Sequence, residues 1–221
     1  MILLPSKNRE YNLKRFIQAC EDTQVVEKHV IILEYGDSSV NLTIPENWEM
    51  RCYSGGNGAA SHFNKIFEEF PNEEYYAFLA DDVIPRTKNW DIELKTNCLE
   101  YLYAWPEDGE RGEKFASHAF ISGRLVRAVG KLNPLDLDHF GFDNFWFHLA
   151  KDLGVGKFCK NVLVEHMHPR LGKATIDSTY KEQVLQVIPS KNPDSTRWRT
   201  FKNSVKWNGF VNGVKFNLIE R

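Results

Sequence analysis

The sequence predicts an α/β domain: a mixed, mainly parallel sheet flanked by helices, with a short C-terminal extension. Three observations carry this. Over the first half of the chain, short apolar runs of strand length alternate with stretches whose apolar residues recur at helical spacing, and such alternation builds parallel sheets. Three of the runs end in polar or acidic groups, at Ser6 to Arg9, Glu34 to Asp37, and Asp81 with Asp82; in a parallel sheet such strand ends share one edge, where ligands bind. The 221 residues are 42% hydrophobic and 26% charged, ordinary values for one domain with a sizeable core.

The elements follow in order. Ile2-Leu3-Leu4 is a strand that stops at Pro5, and Ser6-Lys7-Asn8-Arg9 is a polar loop. Asn12 to Cys20 is a helix with Leu13, Phe16, Ile17 and Cys20 on one face. Strand, polar loop and helix start in succession make an anion site; Arg9 either meets a ligand there or is a solvated loop arginine. Val30 to Leu33 is the second strand, and Asn47 to Tyr53 is a third extended piece. Ser54 to Ser61 is a Gly-rich loop whose glycines let backbone approach a ligand closely, although it lacks the P-loop and dinucleotide spacings. A helix with Phe63, Ile66, Phe67 and Phe70 on its apolar face follows and ends before Pro71.

Tyr75 to Pro85 is the stretch that organises the rest. It starts as a buried aromatic strand, runs into Asp81-Asp82, and is closed by Pro85. An unpaired carboxylate is too costly inside a strand, so both acids belong at its C-terminal end. Adjacent carboxylates repel unless a cation or a hydrogen-bond network neutralises them, which suits Mg or Mn beside a diphosphate; a plain strand-end turn is the alternative. Trp90 to Trp105 is expected as one helix packing through Ile92, Leu94, Leu99 and Leu102, Pro106 to Glu113 as a mobile charged loop, and Phe115 to Ile121 as extended. Ser122 to Val129 is a helix that Gly130 ends. Asp143 opens the next helix, either as a cap or as a general base facing the sheet edge. Val162 to Val164 sits in a late strand, after which alternation puts His166 and His168 on one face, as metal ligands or structural histidines. A short helix is expected over 181–187.

The four cysteines form no Cys-x-x-Cys unit, so buried reduced thiols in a cytoplasmic protein are expected. Met1 to Pro5 lacks the features of a signal peptide, and no segment is apolar enough to span a membrane. The net charge is -2, yet the tail from Pro189 interleaves Lys191, Arg197, Arg199 and Lys202 with Trp198, Phe201 and Trp207. Such a tail either tracks a nucleic acid or packs its aromatics on the domain and exposes its cations.

The ordered signals resemble the GT-A glycosyltransferases, in particular the large inverting group with one Rossmann-like domain. The resemblance covers roughly residues 1–169 and lies in motif order. It implies a catalytic domain over 1–175 and an extension over 176–221 packed on it. Pro5, Ser6 and Arg9 resemble the opening loop that meets the nucleotide, and Asp37 the acid that contacts its base or ribose. Asn57-Gly58-Ala59 with Asn64 resembles the stretch ahead of the metal strand. Leu79-Ala80-Asp81-Asp82 occupies the place of the Asp-x-Asp motif, which implies Asp82 on Mn or Mg and Asp81 nearer the ribose. Ser122 to Leu132 resembles the segment before the acceptor site, Asp143 the catalytic base, and His166 or His168 a late metal ligand. The chain departs from the family in its adjacent acids and in Glu34-Tyr35-Gly36-Asp37, which stands where Asp-x-Gly-Ser is usual. The implied activity is metal-dependent, inverting transfer from a nucleotide-sugar to a saccharide or other hydroxyl acceptor, with modified DNA as a further acceptor through the basic tail. A sugar-nucleotide pyrophosphorylase would carry a Gly-rich opening loop, absent from Pro5 to Arg9. A non-catalytic nucleotide-sugar binding module is the third reading.

Overall fold

The computed structural model describes residues 1–23, 25, 30–34, 42–53, 58–181 and 192–220. Asp37, Asn57, Lys191 and all but the first residue of the helix expected over 181–187 lie outside these residues.

In chain order the elements are β1 (Ile2–Ser6), α1 (Glu10–Asp22), β2 (Val30–Glu34), β3 (Trp48–Cys52), α2 (Phe63–Glu69), β4 (Tyr75–Phe78), β5 (Val83–Pro85), α3 (Trp90–Tyr101), β6 (Tyr103–Glu107), β7 (Ala119–Ser122), α4 (Gly123–Val129), α5 (Phe142–Leu153), β8 (Lys157–His166), α6 (Pro193–Lys202) and α7 (Val205–Ile219). The strands form one sheet in the order β3-β2-β1-β4-β7-β6-β8-β5. β3, β2, β1 and β4 are parallel, β7 is antiparallel to both β4 and β6, β8 is parallel to β6, and β5 closes the edge antiparallel to β8.

Strand periodicity splits the core in two. Met1 and Leu3 face one side of the sheet, with α2, α4, α5, α6 and α7 packed over it. Ile2 and Leu4 face the other side, beneath α1 and α3. The expected α1 face, Leu13, Phe16, Ile17 and Cys20, is buried there.

Several boundaries differ from the sequence reading. β1 continues through Pro5 to Ser6, because its ladder with β4 spans only Ile2 and Leu3 and the missing Pro5 N–H costs no bond on that side. Tyr75 to Pro85 is two strands rather than one. β4 stops at Phe78, Val83 N–H donates back to the Ala80 carbonyl, and β5 leaves in a new direction, so Pro85 stands on an edge strand where proline is tolerated. The helix expected through Trp105 ends at Tyr101. Leu102 takes a left-handed conformation (φ 69°), and Tyr103-Ala104-Trp105 fills the slot between β7 and β8. α3 consequently packs through Trp90, Leu94 and Cys98, while Ile92 and Leu99 are exposed. α4 forms as expected: the Ser122 hydroxyl accepts from Leu125 N–H (3.2 Å) and Gly130 ends the helix at φ 90°.

The tail packs its aromatics inward. Trp198 and Trp207 are buried against Phe145 of α5, and the Trp207 indole N–H donates to Asp152 (2.7 Å). All four cysteines are free; Cys52 is exposed, against expectation, and the other three are buried. Among the described residues no helix is long and apolar enough to cross a membrane.

Candidate functional site

The site forms where β1 and β4 end side by side. Their parallel register brings the loop after β1 and the Asp81-Asp82 turn to the same edge of the sheet. The Ser6 hydroxyl donates to Asp81 Oδ2 (2.9 Å), and Arg9 Nη1 donates to Asp81 Oδ1 (3.0 Å). Arg9 Nη1 also lies 3.9 Å from Asp82. The remaining guanidinium nitrogens hold Asp177 at 2.9 and 3.1 Å, a pairing with no signal in the sequence. The first loop is braced from beneath by Glu34, which accepts from the Asn8 N–H (3.0 Å) at a left-handed residue.

The two acids meet different surroundings. Burial pushes the Asp81 carboxyl up; Arg9 opposes this, Asp82 adds to it, and the net shift is upward. Burial also pushes Asp82 up, but the His166 imidazole, Arg9 and His118 outweigh it and hold Asp82 below the usual carboxylate range. His118, which the sequence reading did not single out, is buried edge-on to His166 with ring centroids 4.9 Å apart. Burial and the neighbouring His166 lower its pKa to about 3, against the pull of Asp82 and Asp108, so it is neutral.

One cavity of about 480 Å³ opens over these groups. Pro5, Arg9, Asp81, Asp82, Asp143, His166 and His168 all line it, so a stretch of chain more than 160 residues long closes on one site. Ser6 reaches it through Asp81. Asp143 stands in the first turn of α5, whose N-cap is Gly141, and its Oδ1 accepts from Asn144 N–H (2.8 Å) and Asn144 Nδ2 (3.1 Å). It therefore satisfies one free helix N–H while facing the cavity. Burial raises its pKa, with Asn144 and Arg111 working against the rise.

A divalent ion at this edge would meet Asp82 and His166 first. Asp82 Oδ1 is buried with no hydrogen-bond partner and lies 3.4 Å from His166 Nε2. Two atoms each about 2.1 Å from one ion sit about 3 Å apart, so this pair suits adjacent ligands. His168 is turned elsewhere: its Nδ1 accepts from Arg170 N–H (3.1 Å) and its Nε2 is 3.3 Å from the Tyr180 hydroxyl. Among the described residues no group of three or more His, Cys, Asp or Glu side chains is arranged to hold an ion. The described residues thus offer an ion two adjacent donors, one carboxylate oxygen and one imidazole nitrogen.

Two residues of the stretch that resembles the one ahead of the metal strand have structural tasks. Asn64 is bonded both ways to the backbone of Asn133 (2.8 and 2.9 Å). Gly58 is covered by the chain itself, since a Cβ there would lie 2.7 Å from His139 Cβ. The charged loop expected to be mobile is anchored by Asp108, whose Oδ1 accepts from the N–H groups of Glu110 (2.8 Å), Arg111 (2.6 Å) and Gly112 (3.1 Å). That brings Arg111 to the cavity and Glu110 to 3.7 Å from His166. The Asp108-Gly109 pair was the turn signal for it.

No protein-family model and no curated protein matches the chain. Solved structures do. A crystal structure of S. aureus TarS aligns at 12% identity over 96% of this chain and 48% of that one (TM-score 0.58). TarS 1-349 aligns at 12% identity over 99% and 79% (TM-score 0.54), and its complex with UDP at 12% over 95% and 73% (TM-score 0.53). The chain thus spans about half the length of the first of these. At this identity the likeness is one of fold, and the chain has a GT-A-type, Rossmann-like fold.

Proposed function

We propose that the chain is a glycosyltransferase that moves a sugar from a nucleotide-sugar donor to an acceptor hydroxyl. One observation carries this: Asp81 and Asp82, Arg9 and the head of α5 with Asp143 line a single cavity at the ligand-binding edge of a GT-A sheet. The UDP complex of a protein with this fold supports a uridine nucleotide as donor.

In this reading Ser6 and Arg9 orient Asp81, which faces the nucleotide, while Pro5 shapes the loop around it. Asp82 and His166 would hold Mn or Mg, which when bound neutralises charge on a diphosphate leaving group. His168 supports His166 from behind, with ring centroids 5.2 Å apart. Asp143 accepts the acceptor hydroxyl proton. The acceptor oxygen forms its bond to the anomeric carbon as the bond from that carbon to the phosphate oxygen breaks, and the electron pair leaves with the diphosphate. Attack from the face opposite the leaving group inverts the configuration. The raised pKa of Asp143 makes it a better base than an exposed carboxylate. We propose a saccharide or other small hydroxyl acceptor over DNA, because Arg197 is bonded to the Leu135 and Asp136 carbonyls and Lys202 to Asp152. The free cysteines suit a cytoplasmic setting.

The test is a panel of UDP-sugars with and without Mn, read as thermal stabilisation, UDP release and anomeric configuration of the product. Metal-dependent stabilisation by UDP and release of UDP are expected, with release lost in Asp143→Asn and UDP binding kept. A wild-type chain whose melting temperature does not respond to UDP with Mn is not this enzyme.

A further inference from the structure

The cavity wall around the candidate base is one continuous segment, His139 to Asn144, and Ser195 of α6 adjoins it. Two side chains and a glycine show how α6 grips the chain just ahead of that wall. Asp194 is buried, and its Oδ2 accepts from the backbone N–H groups of His139 (2.8 Å) and Phe140 (3.3 Å). One turn on, Arg197 donates to the carbonyls of Leu135 (3.1 Å) and Asp136 (2.9 Å). Gly141 sits at φ 92°, and a Cβ there would lie 3.0 Å from Trp198 Cβ. Residues 194, 197 and 198 share one helix face, so α6 presents a single gripping surface.

The opposite side of the segment is held as firmly. The Asp138 carbonyl accepts from Ala60 N–H (2.9 Å), and Asn133 spans to Ala60 (2.9 Å) and Leu137 (2.7 Å). The turn at 139–141 is held less tightly on this side, by Ala59 N–H donating to His139 Nδ1 (3.4 Å), and it ends two residues before Asp143, where Phe145 N–H makes the first helical bond to the Gly141 carbonyl (2.8 Å). A buried carboxylate that accepts two successive N–H groups fixes the direction in which the next residues leave.

We propose that Asp194 is a positioning residue: it clamps the 139–140 backbone and so sets the start of α5 and the aim of the Asp143 carboxylate. The role of the aim rests on the glycosyl-transfer reading, whereas the clamp does not. The C-terminal helix pair then belongs to the acceptor half of the site, although it comes last in the chain and supplies no reacting group.

The test compares Asp194→Ala with Asp194→Asn in the full chain; Asn keeps an oxygen that can accept both N–H groups. Amide exchange over residues 138–147 reads the clamp without any substrate. It is expected to speed up at least about tenfold in the Ala variant and to stay near wild type in the Asn variant. Turnover of the UDP-sugar that the wild type uses reads the aim. Its kcat should fall on the order of 10- to 100-fold in the Ala variant with UDP affinity unchanged, and recover most of the loss in the Asn variant. Wild-type exchange in Asp194→Ala overturns the clamp. Faster exchange with wild-type kcat, or kcat and UDP affinity lost together, overturns the aiming role. A wild type that turns over no UDP-sugar rejects the uridine donor, and exchange alone then accepts or rejects the clamp. Should Asp194→Ala not fold, Arg197→Ala weakens the same grip and takes its place in both measurements.

Discussion

Asp81 and Asp82 are adjacent in sequence and opposite in circumstance. Each Asp81 oxygen accepts a bond, from Ser6 or Arg9, whereas Asp82 keeps a buried oxygen without a hydrogen bond beside His166. That oxygen faces His166 Nε2 at 3.4 Å, a contact longer than a good hydrogen bond, and so can take a further partner from the cavity. Asp82→Asn removes the negative ligand and keeps the shape. Metal-dependent turnover is expected to drop on the order of 100-fold or more, since a bound ion contributes several kcal/mol of charge stabilisation. Normal turnover at low Mn in that variant would remove Asp82 from the metal. His139 gives a second prediction at this scale. Burial lowers its pKa to about 4, with Asp194 opposing. The unfolded chain takes up that proton near pH 6.5, so between about pH 6.5 and 4 it binds more protons than the folded chain. Stability contributed by keeping this ring neutral is full above pH 6.5 and is lost towards pH 4, by up to about 1.4 kcal/mol per pH unit. Melting temperatures of wild type and His139→Gln from pH 7 to 4.5 should converge as the pH falls; parallel curves would place the titration elsewhere.

Among the elements, β4 and the turn that follows it show how a strand end becomes a site. The aromatic run supplies a buried strand, the two acids end it because they cannot enter the ladder, and the chain re-enters the sheet as β5 on the far edge. The loop ahead of α2 shows the reverse case, a glycine whose use is internal. Gly58 lies under Asp138 and His139, and the atoms that a Cβ would meet include backbone, which cannot swing aside. Gly58→Ala should destabilise the chain by about 1–3 kcal/mol in urea unfolding, and it should loosen the 138–141 turn that precedes α5. An unchanged midpoint would mean that the two segments separate without cost.

For the molecule as a whole, the sheet divides two cores of unequal extent. The side beneath α1 and α3 is closed by residues up to Phe120 of β7 and by β8. The other side is completed only when α6 and α7 arrive, carrying Trp198, Trp207, Val214 and Leu218 into it. The extension therefore acts as the last layer of the core. Trp207→Ala should cost about 3–5 kcal/mol, the range for removing a buried Trp, and the variant should unfold in one transition. A separate early transition for the C-terminal helices, with the rest of the chain unaffected, would show that the tail is dispensable.

The sequence by itself determined the α/β class, the parallel β1, β2 and β4, and the acids at the edge of the sheet. Alternating apolar runs and the cost of burying a carboxylate are local properties, readable wherever they occur. The face of α1 and the extent of α4 were equally legible, because helical spacing and the glycine that ends a helix lie within a few residues of one another. Tyr103 to Trp105 was not legible: the same apolar residues suit a helix end or a strand, and the slot between β7 and β8 decided between them. Nor could residue types reveal that Arg9 holds Asp177, that His118 leans on His166, or that Asp194 holds His139 and Phe140. These contacts join positions 48 to 168 residues apart, and only the closed sheet with its last two helices brings them within reach.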